Sequence, residues 1–343
     1  MWAMIVKEFR QLRRDRRTLA MMIVMPVLLL VVFGYAASFD VTSVRADVYG
    51  AGAEQIEGKL PPIFDVQTVD ATAGASQAEE TLRDGEVPVV FVADGQRLEV
   101  YIDGSQIFIA TATKAAMAQV AQQAPVDIRT EVLFNPGLET SAVMVPGLAG
   151  MILLFIGTIL TSLGVVRERQ AGTLEQLAVM PLRPRDVFLG KVAPYFVVST
   201  VDLVIIVIAG VLIFDVPFNG SVWLLLLGAV LFMFVTLGIG VLISSVSQNQ
   251  GQAIQLALMT LLPQILLSGL IFPLYAMPVG VRWIGYLLPL TYFTEISRGV
   301  MLRGASFESL WFAYAMLAVL GTVVMTGATL RFRSFLAPGK ARG

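Results

Sequence analysis

VRERQAGTLEQLAVMPLRPRDVFLGK, residues 166–191, is the longest polar interruption in an otherwise apolar C-terminal two thirds of the chain. It is too short for a domain and too charged for a bilayer core. Apolar runs flank it at 145–165 and 192–214, so it reads as a loop exposed between two membrane spans. The chemistry inside it is ordered: Thr173 and Gln176 have the spacing of a capping box, Gly172 supplies a turn before them, and Pro181 closes the segment. That predicts a helix of about two turns over 174–180, with Leu174, Leu177 and Ala178 on one face and Arg167, Glu168, Arg169 and Glu175 supplying charge nearby. A capped helix is more than a simple connection needs, so this loop is the expected docking surface.

Working outward, 56% of the 343 residues are hydrophobic and only 14% are charged, against about 25% charged in soluble domains. A bilayer core about 30 Å thick takes roughly 20 apolar residues per helix. Such runs occur at 19–37, 145–166, 192–214, 222–244, 253–272 and 310–330, which predicts six spans and both termini on one side. Lys and Arg in short connections set the orientation. The face holding residues 1–18, the 166–191 loop and the C-terminal tail carries fifteen of them, whereas the opposite connections carry only Arg282, Arg298 and Arg303. Both termini and the loop are therefore expected in the cytoplasm.

Residues 1–18 set Trp2, Ile5, Val6, Phe9 and Leu12 at helical spacing, with Lys7, Arg10, Arg14 and Arg17 opposite, as in an interfacial helix on an anionic surface. Between the first two spans the composition changes, and residues 38–143 hold sixteen of the 25 acids. VPVVFVADGQRLEVYID (87–103) reads as a hairpin turning at Asp94-Gly95, IFDVQTV (63–69) and IRTEVLF (128–134) as further strands, and 75–83 and 107–121 as helices. This predicts a small extracytoplasmic α/β domain, with Asn135-Pro136-Gly137 and Pro146-Gly147 marking the return to the membrane. Its acids have no metal-ligand spacing and read as a solvated surface.

The chain has no Cys and no His, which removes disulfides, Cys/His zinc sites, thiol nucleophiles and Ser-His-Asp triads. No GxxxxGK[ST] is present. No catalytic residue is expected, and if ATP is used another chain must bind it. Asp202, near the middle of the third span, has two readings: a group on a transport pathway, by default for an intramembrane charge, or a hydrogen-bonded brace between helices. The turn 244–250 reads as a tight connection. Residues 273–304 are apolar but interrupted by Pro278, Gly285 and Pro289, too broken for a span, and read as two short re-entrant or surface-lying helices in which Glu295 and Arg298 pair at i, i+3.

RERQAGTLEQLAVMPLRPRDVFLGK, then SGLIFPLYAMP (268–278), then LLPLTYFTEISRGVMLRG (287–304), together resemble the permease subunit of ABC-2 type exporters, in the subgroup with a large domain after the first span. The resemblance runs through nearly the whole chain and is weakest over 38–124. It implies six helices per subunit, a second permease subunit in a homodimer or heterodimer, and two cytoplasmic ATPase subunits that carry the ATP and Mg. It implies a multi-pass protein of a bacterial cytoplasmic membrane that moves drugs, lipids or similar amphiphiles outward, with no nucleic-acid partner. On this chain Arg167, Glu168, Arg169, Gly172, Thr173, Leu174, Glu175 and Leu177 would form the ATPase-coupling site within a coupling segment at 167–186. Pro273, Pro278, Pro289, Glu295 and Arg298 would belong to the outer gate. The family pattern often has Glu where this chain has Gln170. Two other functions fit the bare residues: a membrane sensor or scaffold with a ligand-binding outer domain, and a proton-coupled transporter using Asp202.

Overall fold

A computed structural model describes residues 41, 43–94, 97–123, 127–172, 184–271 and 273–336. The expected interfacial helix, the first span and residues 173–183 of the expected coupling loop lie outside the described residues. The first unit is a five-stranded sheet, β1 (Val44–Tyr49), β2 (Phe64–Asp70), β3 (Val89–Asp94), β4 (Arg97–Asp103) and β5 (Asp127–Leu133), in the order β2-β1-β3-β4-β5. All neighbours are parallel except β3 and β4, whose antiparallel register closes at Asp94 and Arg97 as the hairpin pattern predicts.

Three helices cover this sheet: α1 (Ala53–Glu57), α2 (Ala75–Asp84) and α3 (Ile107–Gln123). Strand β3 shows why both faces need cover. Val89 and Phe91 enter one core with Ala53, Ile109 and Met117, while Val90 and Val92 enter another with Ala78 and Leu82. A strand buried on both sides reads as an unbroken apolar run, and VPVVFVA is one. Asn135 then locks the sheet to the helix that follows. Its side-chain nitrogen donates to the Gly104 carbonyl (3.2 Å) and the Glu139 carbonyl (3.1 Å), and its oxygen accepts from the Glu139 amide (3.0 Å).

That helix, α4 (Thr140–Gln170), is a single 31-residue rod, about 46 Å long at 1.5 Å per residue. It is followed by α5 (Pro184–Phe214), α6 (Val222–Val246), α7 (Gln250–Leu267), α8 (Val279–Gly285), α9 (Pro289–Arg298) and α10 (Phe307–Leu336). Four helical segments among the described residues are long and apolar enough to cross a membrane: Thr140–Gln170, Ala193–Phe214, Val222–Val246 and Phe307–Arg331. The expected span at 253–272 differs. Its helix runs Gln250–Leu267 and carries Gln250, Gln252, Gln255 and Gln264, which lower its hydropathy. A helix with four amides suits a place among other helices better than one facing lipid.

Helix α6 is the hub, packed on α4, α9 and α10. Its glycines face three neighbours: a Cβ on Gly240 would lie 2.8 Å from the Thr161 Cβ of α4, on Gly228 2.8 Å from Ile296 of α9, and on Gly238 2.8 Å from Val324 of α10. Small residues let backbones approach where the apolar solvent gives little drive for helices to associate. Phe232 of α6 stacks on Phe293 of α9 with centroids 4.7 Å apart. Helix α5 is the opposite case, exposing Val197, Val201, Val204, Ile205, Ile208 and Leu212. Gly240→Val should separate α4 from α6, because the Thr158 carbonyl 2.9 Å from the new Cβ cannot yield as a side chain would. We expect a loss of roughly 1–3 kcal/mol, read as a lower unfolding temperature in detergent. An unchanged transition would contradict this packing.

Candidate functional site

The two ends of the bundle carry different chemistry. At the end away from the sheet, α4 stops at Gln170 with Gly172 in the left-handed region (φ 72°), a conformation glycine adopts at low cost. The Arg169 guanidinium donates to the Ser247 carbonyl (3.0 Å), and the Gln250 amide donates to the Gln170 side-chain oxygen (3.1 Å). Asn249 caps α7 by accepting from the Gln252 amide at 2.9 Å. The turn between α6 and α7 is thus more than the connection its composition suggests: it braces the end of α4, where the expected coupling segment begins. A groove of about 220 Å³ beside it is lined by Arg169, Ser245, Val246, Gln248 and Arg331. Arg167 is exposed and Glu168 and Arg169 are partly buried. Thr173, Leu174, Glu175 and Leu177 lie outside the described residues.

At the sheet end, the three prolines expected in the outer gate each open a helical turn. Pro273 precedes the 3-10 turn Leu274–Ala276, Pro278 precedes α8, and Pro289 is the first residue of α9. Proline's fixed φ suits these positions, where a missing N–H costs nothing. Arg282 donates to the Tyr275 carbonyl (2.7 Å) and the Met277 carbonyl (3.1 Å), and Thr291 to the Gly285 carbonyl (2.7 Å), so α8 and α9 form one tied unit.

The expected Glu295–Arg298 pair is not formed. The Arg298 guanidinium instead donates to three backbone carbonyls, Val143 at 3.1 Å, Gly269 at 3.3 Å and Leu270 at 3.1 Å. Gly269 and Leu270 lie just past the C-terminal end of α7, where carbonyls lack intrahelical partners, and Val143 lies in the first turn of α4. Five N–H donors in a fixed fork answer that need better than a nearby carboxylate does. Glu295 lines the same cleft as Arg298 without bonding to it, and on α9 it is the exposed residue among buried neighbours.

Arg303, at the end of a π-helical turn Gly299–Arg303, joins this unit to the sheet. Its Nη1 lies 3.7 Å from the Asp103 carboxylate, with side chains 10% and 0% exposed respectively. Gly85, the left-handed cap of α2 (φ 76°), makes room, since a Cβ there would collide with the same Nη1. Asn219, before α6, holds the turn from the other side through the Leu302 carbonyl (2.7 Å). Asp103, Gly85, Asn219 and the role of Arg303 have no local sequence signal, because each is defined by a contact between distant segments. Between sheet and bundle lies a cleft of about 720 Å³ lined by both.

Asp202 lies half-buried on α5, and no hydrogen bond or ion pair reaches it among the described residues. The structure therefore does not bring it together with either end.

The family model described as "ABC-2 family transporter protein" matches residues 16–330. The chain is 30% identical over 335 residues to "Probable multidrug ABC transporter permease YbhS" of Escherichia coli strain K12, covering 88% of each chain. It is 28% identical over 366 residues to "Probable multidrug ABC transporter permease YbhR" of the same strain, covering 97% of this chain and 98% of the relative. It is 34% identical over 214 residues to "Inner membrane transport permease YhhJ", covering 61% of this chain and 56% of that one.

Proposed function

The chain belongs to the ABC-2 family of transporter proteins, and from that premise we propose that it is the permease subunit of an ATP-driven exporter of apolar or amphiphilic molecules. Two cytoplasmic ATPase subunits and a second permease subunit complete the assembly. The relatives' names as multidrug permeases support the substrate class, and the positive charge on residues 1–18, the 166–191 loop and the tail supports a cytoplasmic position for them.

One observation carries this reading: α4 is continuous from the Asn135 corner at the sheet to Arg169 and Gln170 at the coupling loop. A helix of that length moves as a body. A displacement imposed on the loop by an ATPase that closes on ATP is carried along α4 toward the sheet end, where Pro146 interrupts the helical hydrogen-bond ladder in the second turn. Helices α8 and α9, held to the first turn of α4 by Arg298, then move with it and open or close the exit.

The groove beside Arg169 accepts the partner's surface in this reading, and Gln170, bonded within the chain to Gln250, acts as part of the brace rather than as a direct contact. Purification of the tagged chain from its own cells tests the assembly. An ATP-hydrolysing subunit should be retained at a one-to-one ratio in detergent; a chain that is recovered folded and alone at every salt concentration would overturn it.

A further inference from the structure

Among the described residues the outer sheet is tied to the bundle in three ways. At the Asn135 corner the chain itself runs through, and the Asn135 side chain also holds the Gly104 carbonyl. The second tie is apolar. Ile107, opening α3, packs on the bundle core, and Tyr275 of the 3-10 turn packs on the sheet core, so parting either exposes apolar surface to water. The third is the ion pair of Arg303 with Asp103.

Several features set this pair apart from a fixed brace. The gap is 3.7 Å, against about 2.7–2.9 Å for a close charge-assisted hydrogen bond. The Arg303 Nε is buried without a hydrogen-bond partner, so the guanidinium is incompletely held. Asp103 accepts independently from the Ser105 amide at 2.8 Å and the Gln106 side chain at 3.3 Å, and keeps both donors if Arg303 leaves. Arg303 also ends the π-helical turn, which closes on Gly304 in the left-handed region (φ 65°). Such turns are rare and concentrate at functional sites.

Burial decides the energetics. Two charges taken out of water lose hydration that their attraction roughly restores, so parting them into a wetted cleft costs little, whereas deleting one partner strands the other and costs much. Arg303 lines the cleft of about 720 Å³, and Glu295 on the same lining offers a released guanidinium a second carboxylate.

We propose that Arg303 and Asp103 form a releasable latch. Closed, it positions α2 and the sheet on the exit unit; released, it lets the α2 side lift away while the Asn135 corner stays joined. Arg298, earlier on the same helical segment, is held by the first turn of α4, so a displacement of α4 reaches the latch. The proposal rests on the exporter reading for what drives release, and not for the latch itself.

The chain contains no Cys, so Glu80→Cys on α2 and Ser221→Cys before α6, both at exposed positions, take nitroxide labels without background. Double electron–electron resonance then reads their separation on the full-length chain in nanodiscs. Wild type should show mainly the short distance. Asp103→Asn should raise the ratio of long to short distances about ten-fold or more, because it strands the buried Arg303 charge in the closed state. Arg303→Gln should raise it less, since Asp103 keeps its two donors. The double variant, with no charge to strand, should return toward the short distance; a merely weakened fold would open further instead.

Single variants with wild-type distances overturn the latch, and so does a double variant as open as Asp103→Asn. In the complex with its co-purified ATPase, ATP with vanadate should move wild type to the long distance. An assembled complex that hydrolyses ATP and keeps the short distance in that trapped state overturns release. A chain that retains no ATPase removes the exporter reading, while the single and double variants still decide the latch.

Discussion

Glu175→Lys is expected to lower the ATPase activity of the assembled complex by roughly ten-fold or more while the chain still inserts and folds. The effect is large because the substitution reverses a charge at the proposed docking helix, and a like-charge contact in an interface costs several kcal/mol where the native pair was attractive. Glu175 stands in the capped segment that follows α4, two residues after Thr173. The described part of the loop fixes where this segment begins. Arg169 and Gln170 are tied to the α6–α7 turn, so the segment leaves the bundle from a fixed point. Hydrolysis is measured on the co-purified complex, with the amount of retained ATPase as control. Full stimulation in Glu175→Lys would remove this helix from the coupling path.

The second large effect belongs to Arg298. Arg298→Met keeps an apolar stem of similar length and removes every donor, so the loop carbonyls of Gly269 and Leu270 lose their partner and the tie to Val143 of α4 is lost with them. Each buried polar group left unpaired costs about 1–3 kcal/mol, and two unpaired carbonyls with the lost tie predict a loss of roughly 3 kcal/mol or more. The unfolding temperature in detergent should fall by roughly 5 °C or more. Arg298→Lys should recover only part, since a compact ammonium on a flexible stem cannot reproduce the fixed fork. A chain with Met at this position that melts with wild type would show that these carbonyls are satisfied elsewhere and that α9 does not depend on Arg298.

Some of this was readable from residues alone, and the reason differs by element. The hairpin at 87–103 announces itself because β3 is buried on both faces and turns on a short polar loop. Hydropathy finds the cores of α4 and α6 but stops short of their ends: α4 runs to Gln170, past the apolar run, because Arg167 and Arg169 continue a helix that a bilayer scale cannot follow. The Gln-bearing α7 reads as a span by length and not by hydropathy in the folded chain. Sequence spacing pairs Glu295 with Arg298, but the helix ends beside Arg298 offer carbonyls that only the tertiary arrangement brings near. The Arg303–Asp103 contact joins positions 200 apart in the chain, so no local pattern could carry it.

In the proposed assembly, ATP hydrolysis by a partner drives a molecule outward through this bundle. Inside-out vesicles holding the chain and its co-purified ATPase measure it directly, by accumulation of an amphiphilic fluorescent cation in their lumen. Accumulation should need ATP, stop with a non-hydrolysable analogue, and continue when the proton gradient is collapsed. Accumulation without ATP that follows the proton gradient and fails in Asp202→Asn would contradict it.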